Sequence, residues 1–310
     1  MRILFFYIFF CTYFLKSVGQ DSSNIVTPSI SKQKIRLAST INLTAYSSTI
    51  ILLNNTWYKN YPKSKFHNFN DSKEWLQVDK IGHAWTAYNI GKAQTELWKS
   101  TGISDKKATI IGGLSGSGFL TAIEILDAHS QNWGWSWADM GANFLGSEFF
   151  VVQEIAWHEQ RIQFKFSFHS KKYKEDILQV RANNLFGNSF SEKMLKDYNT
   201  QTYWLSFNMR SFFKESKFPG WLNFAIGYGA DGMLGGFENK WKDKFGNEII
   251  RMDILRRRQF YFAPDIDFTK IKTRNKFLKT SFIILNAFKF PSPTIRFEKW
   301  SKIKFYPFYF

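Results

Sequence analysis

The stretch that decides the fold runs from Trp75 to Trp157. It contains three apolar segments of helical length, DKIGHAWTAYNIG from Asp79, ATIIGGLSGSGFLTAIEILDA from Ala108 and SWADMGANFLGSEFFVVQEIAW from Ser136. Each segment carries two polar side chains that are three or four residues apart, a spacing that places both on one face of a helix. The pattern therefore predicts three consecutive helices, each with a polar spot on an otherwise apolar surface.

These polar spots are expected to face one another. An ionisable group among apolar neighbours is costly unless it is paired or hydrogen-bonded, and the three helices can satisfy this need together. The candidate site residues are Asp79, His83, Glu124, Asp127, Asp139 and Asn143.

The chemistry of this cluster has more than one interpretation. Carboxylates with one imidazole suit a divalent cation or acid–base catalysis inside a helical bundle. However, the Glu-x-x-His pairs of dimetal bundles are absent, and the serines of GLSGSG have no evident base beside them. A second interpretation is a buried hydrogen-bond network that holds the helices in register, with Lys80 at the surface. A third is recognition of a ligand or lipid. No cofactor is predicted, although a divalent cation would suit these ligands.

The N-terminus has the layout of a secretory signal peptide over residues 1–19. Arg2 precedes an apolar run of thirteen residues, and Ser17 and Gly19 are the small residues expected before a cut at Gln20. An uncleaved anchor helix is the alternative. The chain's one cysteine, Cys11, lies inside the apolar run without the small neighbours of a lipidation site, so lipidation is not predicted. Cleavage would leave a mature chain without thiols or disulfides.

The charge of the chain is strongly positive and concentrated towards its end. The formal net charge is +17, and the residues from Lys240 onward include seventeen Lys and Arg against six Asp and Glu. Nucleic acid is the usual partner for such a balance, but an exported protein rarely meets it. We therefore expect lipid head groups or anionic envelope polymers as partners. A basic surface that is simply solvated remains the alternative.

The residues outside the central stretch complete an α+β organisation. Residues 20–33 are polar and predict a flexible leader, and residues 34–160 predict a bundle of about four apolar helices. Within the third helix, Gly112, Ser115 and Gly116 would allow another helix to approach closely. Residues 161–310 predict a basic, aromatic-rich antiparallel β region with one further helix, from Lys276 to Phe288.

The motifs of the central stretch resemble two known families. The opening Asp79-Lys80-x-x-His83, an acidic pair on the next helix and Asp-x-x-x-Asn-x-x-Gly ending at Gly146 resemble the VanZ-like group. A longer stretch, from about Trp57 to Gly236, is similar to the YfiM-type family, lipoproteins of unknown function common in Bacteroidetes envelopes. Its shared elements are DKIGHAWTAY, GLSGSGFLTAIEILDA, WSWADMGAN and GYGADGMLGG. The resemblance implies an envelope protein and does not supply a reaction.

Two functions are compatible with these patterns. The first is an exported, membrane-associated structural or interaction protein of the cell envelope, in the periplasm or outer membrane, with an integral inner-membrane location as the alternative. The second is a membrane-associated enzyme that acts on lipid or cell-wall phosphates through the buried Asp, His and Glu cluster. No sequence motif identifies the chain as an enzyme, so the sequence does not decide whether it has enzymatic activity.

Overall fold

The computed structural model describes residues 30–56, 58, 61–298 and 302–310. The predicted signal peptide, Cys11 and residues 20–29 of the predicted leader lie outside the described residues. The last two residues of the predicted leader, Lys32 and Gln33, already belong to the first helix. The chain divides into two compact units. The helical unit contains the described residues up to Ser72 together with His83–Gln160, and the sheet unit contains Lys73–Gly82 and Arg161–Phe310.

Long helices make up most of the helical unit. They form where the sequence keeps apolar residues at helical spacing, and Gly102, with φ of +87°, follows the end of the second one. Ser136 caps the fourth helix by accepting a hydrogen bond from the Asp139 backbone N–H, whereas Ser104 precedes the third helix without a side-chain cap bond. The helices are α1 (Lys32–Thr56), α2 (Val78–Lys99), α3 (Asp105–Ala128) and α4 (Trp137–Trp157).

Glycines let these helices approach closely. A Cβ at Gly116 of α3 would overlap the carbonyl group of Ala87 on α2, and one at Gly146 of α4 would overlap that of Ala84. Hydrogen bonds between α3 and α4 reinforce this packing, because Ser117 Oγ donates to the Asn143 carbonyl oxygen at 2.9 Å. The small-residue packing expected of α3 is therefore present, and it brings the polar side chains of three helices within reach of one another.

The sheet unit contains a six-stranded antiparallel sheet in the order β1-β2-β3-β6-β7-β8 and a separate two-stranded hairpin, β4-β5. The strands are β1 (Ile162–Phe168), β2 (Gln201–Asn208), β3 (Leu222–Asp231), β4 (Lys240–Lys242), β5 (Glu248–Ile250), β6 (Arg257–Ile266), β7 (Ser292–Glu298) and β8 (Lys302–Tyr309).

Helices of the sheet unit lie between these strands. A 3-10 turn, Glu74–Gln77, precedes α2, and a second one, Phe268–Lys270, follows β6. The α-helices are α5 (Asp176–Phe186), α6 (Phe190–Lys196), α7 (Met209–Phe212) and α8 (Lys276–Leu285).

The predicted α+β class is confirmed, with helices first and the antiparallel sheet after them. Residues 161–310 contain α5, α6 and α7 in addition to α8, which is the one helix predicted in this region. In α5 the buried residues Leu178, Ala182 and Phe186 recur every four positions, a helical period from which this helix could have been predicted. A capping box of Ser189 and Glu192 begins α6. The aromatic stretch at the end of the chain contributes to both β7 and β8.

The buried side of the large sheet is partly aromatic and partly charged. Trp204, Tyr261 and Tyr309 pack together with ring centroids 4.8 to 6.1 Å apart. On the same side, Lys165 Nζ lies 2.8 Å from Asp265 Oδ2, and Lys289 Nζ lies 3.7 Å from Asp265 Oδ1. All three charged side chains are fully buried, so the interior of this unit is held by polar contacts as well as by apolar packing.

Candidate functional site

The site is built around the imidazole of His83 on α2. Its Nδ1 lies 3.0 Å from Asn143 Oδ1 on α4 and 3.8 Å from Glu124 Oε1 on α3, while its Nε2 lies 3.9 Å from Asp139 Oδ1. Because an amide oxygen can only accept a hydrogen bond, the ring donates from Nδ1 to Asn143. Three helices of the helical unit thus converge on one histidine.

Glu124 is the most deeply buried acid of this group, with a side chain 1% exposed. Its Oε2 accepts a hydrogen bond from the Ser136 backbone N–H at 3.3 Å, while Oε1 has no hydrogen-bond partner among the described residues. Burial raises the pKa of Glu124 to about 8; the nearby His83 opposes this rise and Asp139 adds to it. At neutral pH the carboxyl group is therefore largely protonated and neutral.

Glu124→Gln is expected to weaken the dependence of stability on pH. The folded state raises the pKa of Glu124 from its ordinary value of 4.5 to about 8, so it binds more protons than the unfolded state between these values. The free energy of unfolding then falls as the pH rises through this window, by up to about 1.4 kcal/mol per pH unit from this group, and levels off above it. Denaturant unfolding at pH 5 and pH 8 measures the effect.

The matched control is Glu148→Gln on the exposed side of α4. It should preserve the pH dependence of the wild-type chain. If Glu124→Gln preserves it equally well, Glu124 does not titrate with a raised pKa in the folded protein.

Loop residues complete the polar network from outside the three helices. Ser136 Oγ donates to an Asp71 carboxylate oxygen and accepts from the Asp139 backbone N–H at 2.9 Å. Tyr58 donates its hydroxyl hydrogen to Asp127 Oδ1 at 2.7 Å, and burial and then the Asp127 charge hold the pKa of Tyr58 well above its usual range. Sequence reasoning did not include Tyr58, Asp71 or Ser136 in the site, because loop residues carry no periodic signal.

Asp79 and Lys80 have partners in the sheet unit. Asp79 Oδ1 accepts a hydrogen bond from the Tyr198 hydroxyl at 2.6 Å, and Asp79 Oδ2 lies 3.1 Å from Lys80 Nζ. Lys80 is buried, so the expectation that it stays at the surface is wrong. Its ion pair with Asp79 explains how a lysine is tolerated there. Of the six predicted site residues, the helical unit gathers Glu124, Asp139 and Asn143 around His83, while Asp127 pairs with Tyr58.

Two motifs outside the cluster have structural roles. Ser117 Oγ, from GLSGSG, donates to the Asn143 carbonyl oxygen and lies 2.7 Å from Ser147 Oγ, which is no general base. Asp231, from GYGADGMLGG, accepts a hydrogen bond from the Gly232 backbone N–H at 2.7 Å, and Gly232 has a φ of +78°. The contacts of Ser117 therefore join two helices, and that of Asp231 stabilises a turn.

The arrangement of the cluster limits its chemistry. Carboxylate and imidazole donors suit a hard divalent cation, and that expectation stays a prediction. An anionic phosphate would lie beside Glu124 and Asp139 and would be repelled by any carboxylate that is ionised. The hydrogen bonds that Ser136, Asn143 and Tyr58 make instead connect the helices and loops of one unit. Such a network fixes how the helices pack.

A second feature of the helical unit is an uncovered apolar face on α3 and α4. By length and composition α3 could cross a membrane. Of its most apolar stretch of 18 residues, 39% is buried inside the structure. Glu148 is exposed on α4 among the apolar side chains of this face. The large apolar side chains that are more than a third exposed are Ile110, Ile111, Leu114 and Ile125 on α3, and Trp137, Phe144, Leu145, Val152, Ile155 and Trp157 on α4.

Comparison with known proteins indicates the cellular location of the chain. Residues 68–154, which include α2, α3 and most of α4, match a family described as "Predicted periplasmic lipoprotein (DUF2279)". No curated protein and no solved structure shows a significant match to the chain. The matched segment is less than a third of the chain and contains the six predicted site residues. The chain is similar to this family over its central helices and is an exported cell-envelope protein, located in the periplasm or outer membrane.

Proposed function

We propose that the chain is a membrane-associated structural or interaction protein of the envelope, and that its helical unit contacts lipid through the exposed face of α3 and α4. The observation that carries this proposal is the large apolar area that these two helices leave uncovered. Soluble monomers rarely expose contiguous apolar patches of this kind, and such patches are typical of membrane or protein contacts.

Charge favours lipid as the partner of this face. The formal net charge of +17 attracts anionic head groups, and Lys106 and Lys107 are exposed in the first turn of α3 beside the apolar run. Glu148 would be costly at the centre of a bilayer but is tolerated at the boundary between head groups and acyl chains. These features together support a face that lies in the interfacial layer of a membrane.

The polar cluster has a supporting role in this proposal. His83, Glu124, Asp139 and Asn143 hold α2, α3 and α4 together from the side opposite to lipid contact, through partners in the protein itself. The resemblance to VanZ-like and YfiM-type proteins is consistent with an envelope role and names no reaction. Catalysis on phosphates is less well supported, because the cluster offers more carboxylates than cations to an anionic substrate.

Charged substitutions on the helical face should weaken membrane binding. Leu114 and Leu145 are 52% and 64% exposed, so Leu114→Glu/Leu145→Glu should fold normally. Because a buried leucine side chain contributes about 1.5 kcal/mol or more, the double variant should bind vesicles of phosphatidylethanolamine and phosphatidylglycerol roughly 100-fold more weakly. Flotation of the purified chain with these vesicles measures the bound fraction.

The control carries the same added charge on exposed residues elsewhere. Phe245 and Met252, at 77% and 76% exposure, lie in the sheet unit outside the large sheet. Phe245→Glu/Met252→Glu should bind nearly as well as the wild type, apart from a small charge effect common to both variants. Equal binding of the two double variants would contradict contact between lipid and the helical face.

A further inference from the structure

The large sheet has an inverted distribution of side chains. In β6 the residues that point inward are Gln259, Tyr261, Ala263 and Asp265, and all four are buried. The alternate residues Phe260 and Phe262 point outward and are 51% and 42% exposed. A sheet in a water-soluble protein usually has its apolar residues inside and its polar residues outside. Here the apolar aromatic residues are on the exposed side.

The strand register shows that the outward apolar residues form continuous rows. Residues directly opposite each other in antiparallel strands share one face of the sheet. One such row crosses five strands without a polar side chain, and a neighbouring row crosses four. The first row is Leu205, Ile226, Phe262, Ile295 and Phe305, and the second is Tyr228, Phe260, Phe297 and Ile303.

The inward side of the sheet has buried polar contacts of its own. Asp265 accepts hydrogen bonds from Ser206 Oγ at 2.6 Å and from the Phe290 backbone N–H at 3.1 Å, besides its contact with Lys165. Lys289 Nζ donates to the carbonyl oxygens of Pro264 and Phe290 and to Ser292 Oγ. Since these buried polar groups are satisfied, the inversion is a built feature of the sheet rather than a packing fault.

Part of the outward face is covered by the unit's own helices and loops. On β1 the outward ring of Phe166 lies 5.3 Å from Tyr203 and 6.4 Å from Phe288, and the ring of Phe168 lies 5.4 Å from Phe190 at the start of α6. Five residues of the two rows are 42% to 68% exposed, namely Ile226, Phe260, Phe262, Ile303 and Phe305. The other four, Leu205, Tyr228, Ile295 and Phe297, are half-buried. The same side-chain pattern is therefore buried at β1 and partly open over the strands that follow.

Basic and aromatic residues border the open area at one end. The Asp267 backbone N–H donates to the Trp221 carbonyl oxygen at 2.8 Å, so the segment before β3 and the segment after β6 meet there. Such a mixture of cations and aromatic rings is typical of the head-group layer of membranes. The exposed residues of these two segments include Lys214, Lys217, Trp221, Lys272, Arg274 and Phe277.

We infer that the outward face of β3, β6, β7 and β8 contacts the acyl chains of lipids, with the basic border in contact with anionic head groups. The polarity of the sheet, apolar outside and polar inside, matches a lipid environment, and the positive charge of the border complements anionic lipid. The inference rests on the proposed function in taking a membrane as the environment, but it concerns a separate surface in the sheet unit.

Spin labels at single cysteines test this inference in the full chain. Cys11 is first replaced by serine, and cysteines are introduced one at a time by Ile226→Cys, Phe262→Cys and Phe305→Cys on the sheet face. Phe245→Cys in the turn between β4 and β5 is the water-exposed control, and Leu145→Cys reports on the helical face. Each labelled chain is reconstituted in vesicles of phosphatidylethanolamine and phosphatidylglycerol, and its collisions with oxygen and with a water-soluble nickel chelate are measured. Phe260→Cys replaces any sheet variant that fails to fold.

Lipid contact predicts that oxygen collides more often than the nickel chelate at all three sheet positions, and that this order is reversed at Phe245. Preferential nickel collisions at the sheet positions would overturn the inference. Low collision rates with both reagents would also overturn it, because they would mean that protein, such as a second copy of the chain, covers the face. The label at Leu145 separates the two proposals: lipid contact there with water contact on the sheet supports only the proposed function, and the opposite result supports only the sheet inference.

Discussion

Gly146→Ala is expected to destabilise the helical unit strongly. The new methyl group would overlap the carbonyl group of Ala84, and a helix backbone cannot move aside as a flexible side chain could. Overpacking of a close contact costs roughly 1–3 kcal/mol and more where backbone must shift, so we expect about 3 kcal/mol. Gly116→Ala should behave alike, because its Cβ would overlap the carbonyl group of Ala87. Thermal unfolding followed by circular dichroism measures the loss.

The same two helices provide matched controls. A Cβ added at Gly141 on α4 or at Gly118 on α3 would meet no described atom within 4 Å, so alanine fits there without a clash. Because alanine favours a helix over glycine by about 0.5–1 kcal/mol, Gly141→Ala and Gly118→Ala should raise the stability slightly. If Gly146→Ala were as stable as Gly141→Ala, the close approach of α2 and α4 would be wrong, and with it the geometry of the His83 site.

Asp265→Asn is the second substitution with a large expected effect. It removes the negative charge that lies between the buried Lys165 and Lys289, and leaves these two lysines without an ionic partner among the described residues. Burial already lowers the pKa of Lys289 to about 8, and the Asp265 charge opposes that fall. Breaking a buried ion pair from one side costs about 3–5 kcal/mol, and we expect a loss of that size in denaturant unfolding.

Asp253→Asn is the control for this experiment. Asp253 pairs with Arg251 at 2.7 Å, but its side chain is 62% exposed, and ion pairs at the surface contribute little to stability. A small effect of Asp265→Asn, no larger than that of Asp253→Asn, would contradict a dry polar interior in the sheet unit. It would also remove the contrast between inside and outside on which the lipid-facing sheet depends.

The helical part of the site was predictable because helical spacing determines which side chains share a face. Asp139 and Asn143 lie one helical turn apart and so share a face. Because burying polar groups without partners is costly, the polar faces of neighbouring apolar helices are expected to contact one another. That reasoning brings His83, Glu124, Asp139 and Asn143 together, as the distances show. It could not identify Tyr58, whose hydroxyl reaches Asp127 from 69 residues away. Long-range contacts of loop residues leave no periodic trace in a sequence.

The sequence pattern also could not predict which face of the sheet is apolar and exposed. Period-two alternation in Gln163–Phe168 and Arg258–Phe262 indicates strands, but it does not say which of the two faces is buried. Which face is buried depends on the segments that pack against each strand. Other parts of the unit pack on the phenylalanines of β1, whereas Phe260 and Phe262 of β6 remain exposed. Lys80 illustrates the same limit, because the ion pair with Asp79 that permits its burial could not be foreseen.

We propose that this envelope protein is held to the membrane by apolar contact and not by charge alone. The most direct test is extraction of cell membranes with alkaline carbonate, followed by separation of inner and outer membranes, for the full chain with a C-terminal tag. Apolar contact predicts that the protein stays in the membrane pellet, because carbonate disrupts ionic contacts and leaves hydrophobic ones intact. Complete release into the supernatant would show that charge alone holds it, and would contradict lipid contact by the helical and sheet faces.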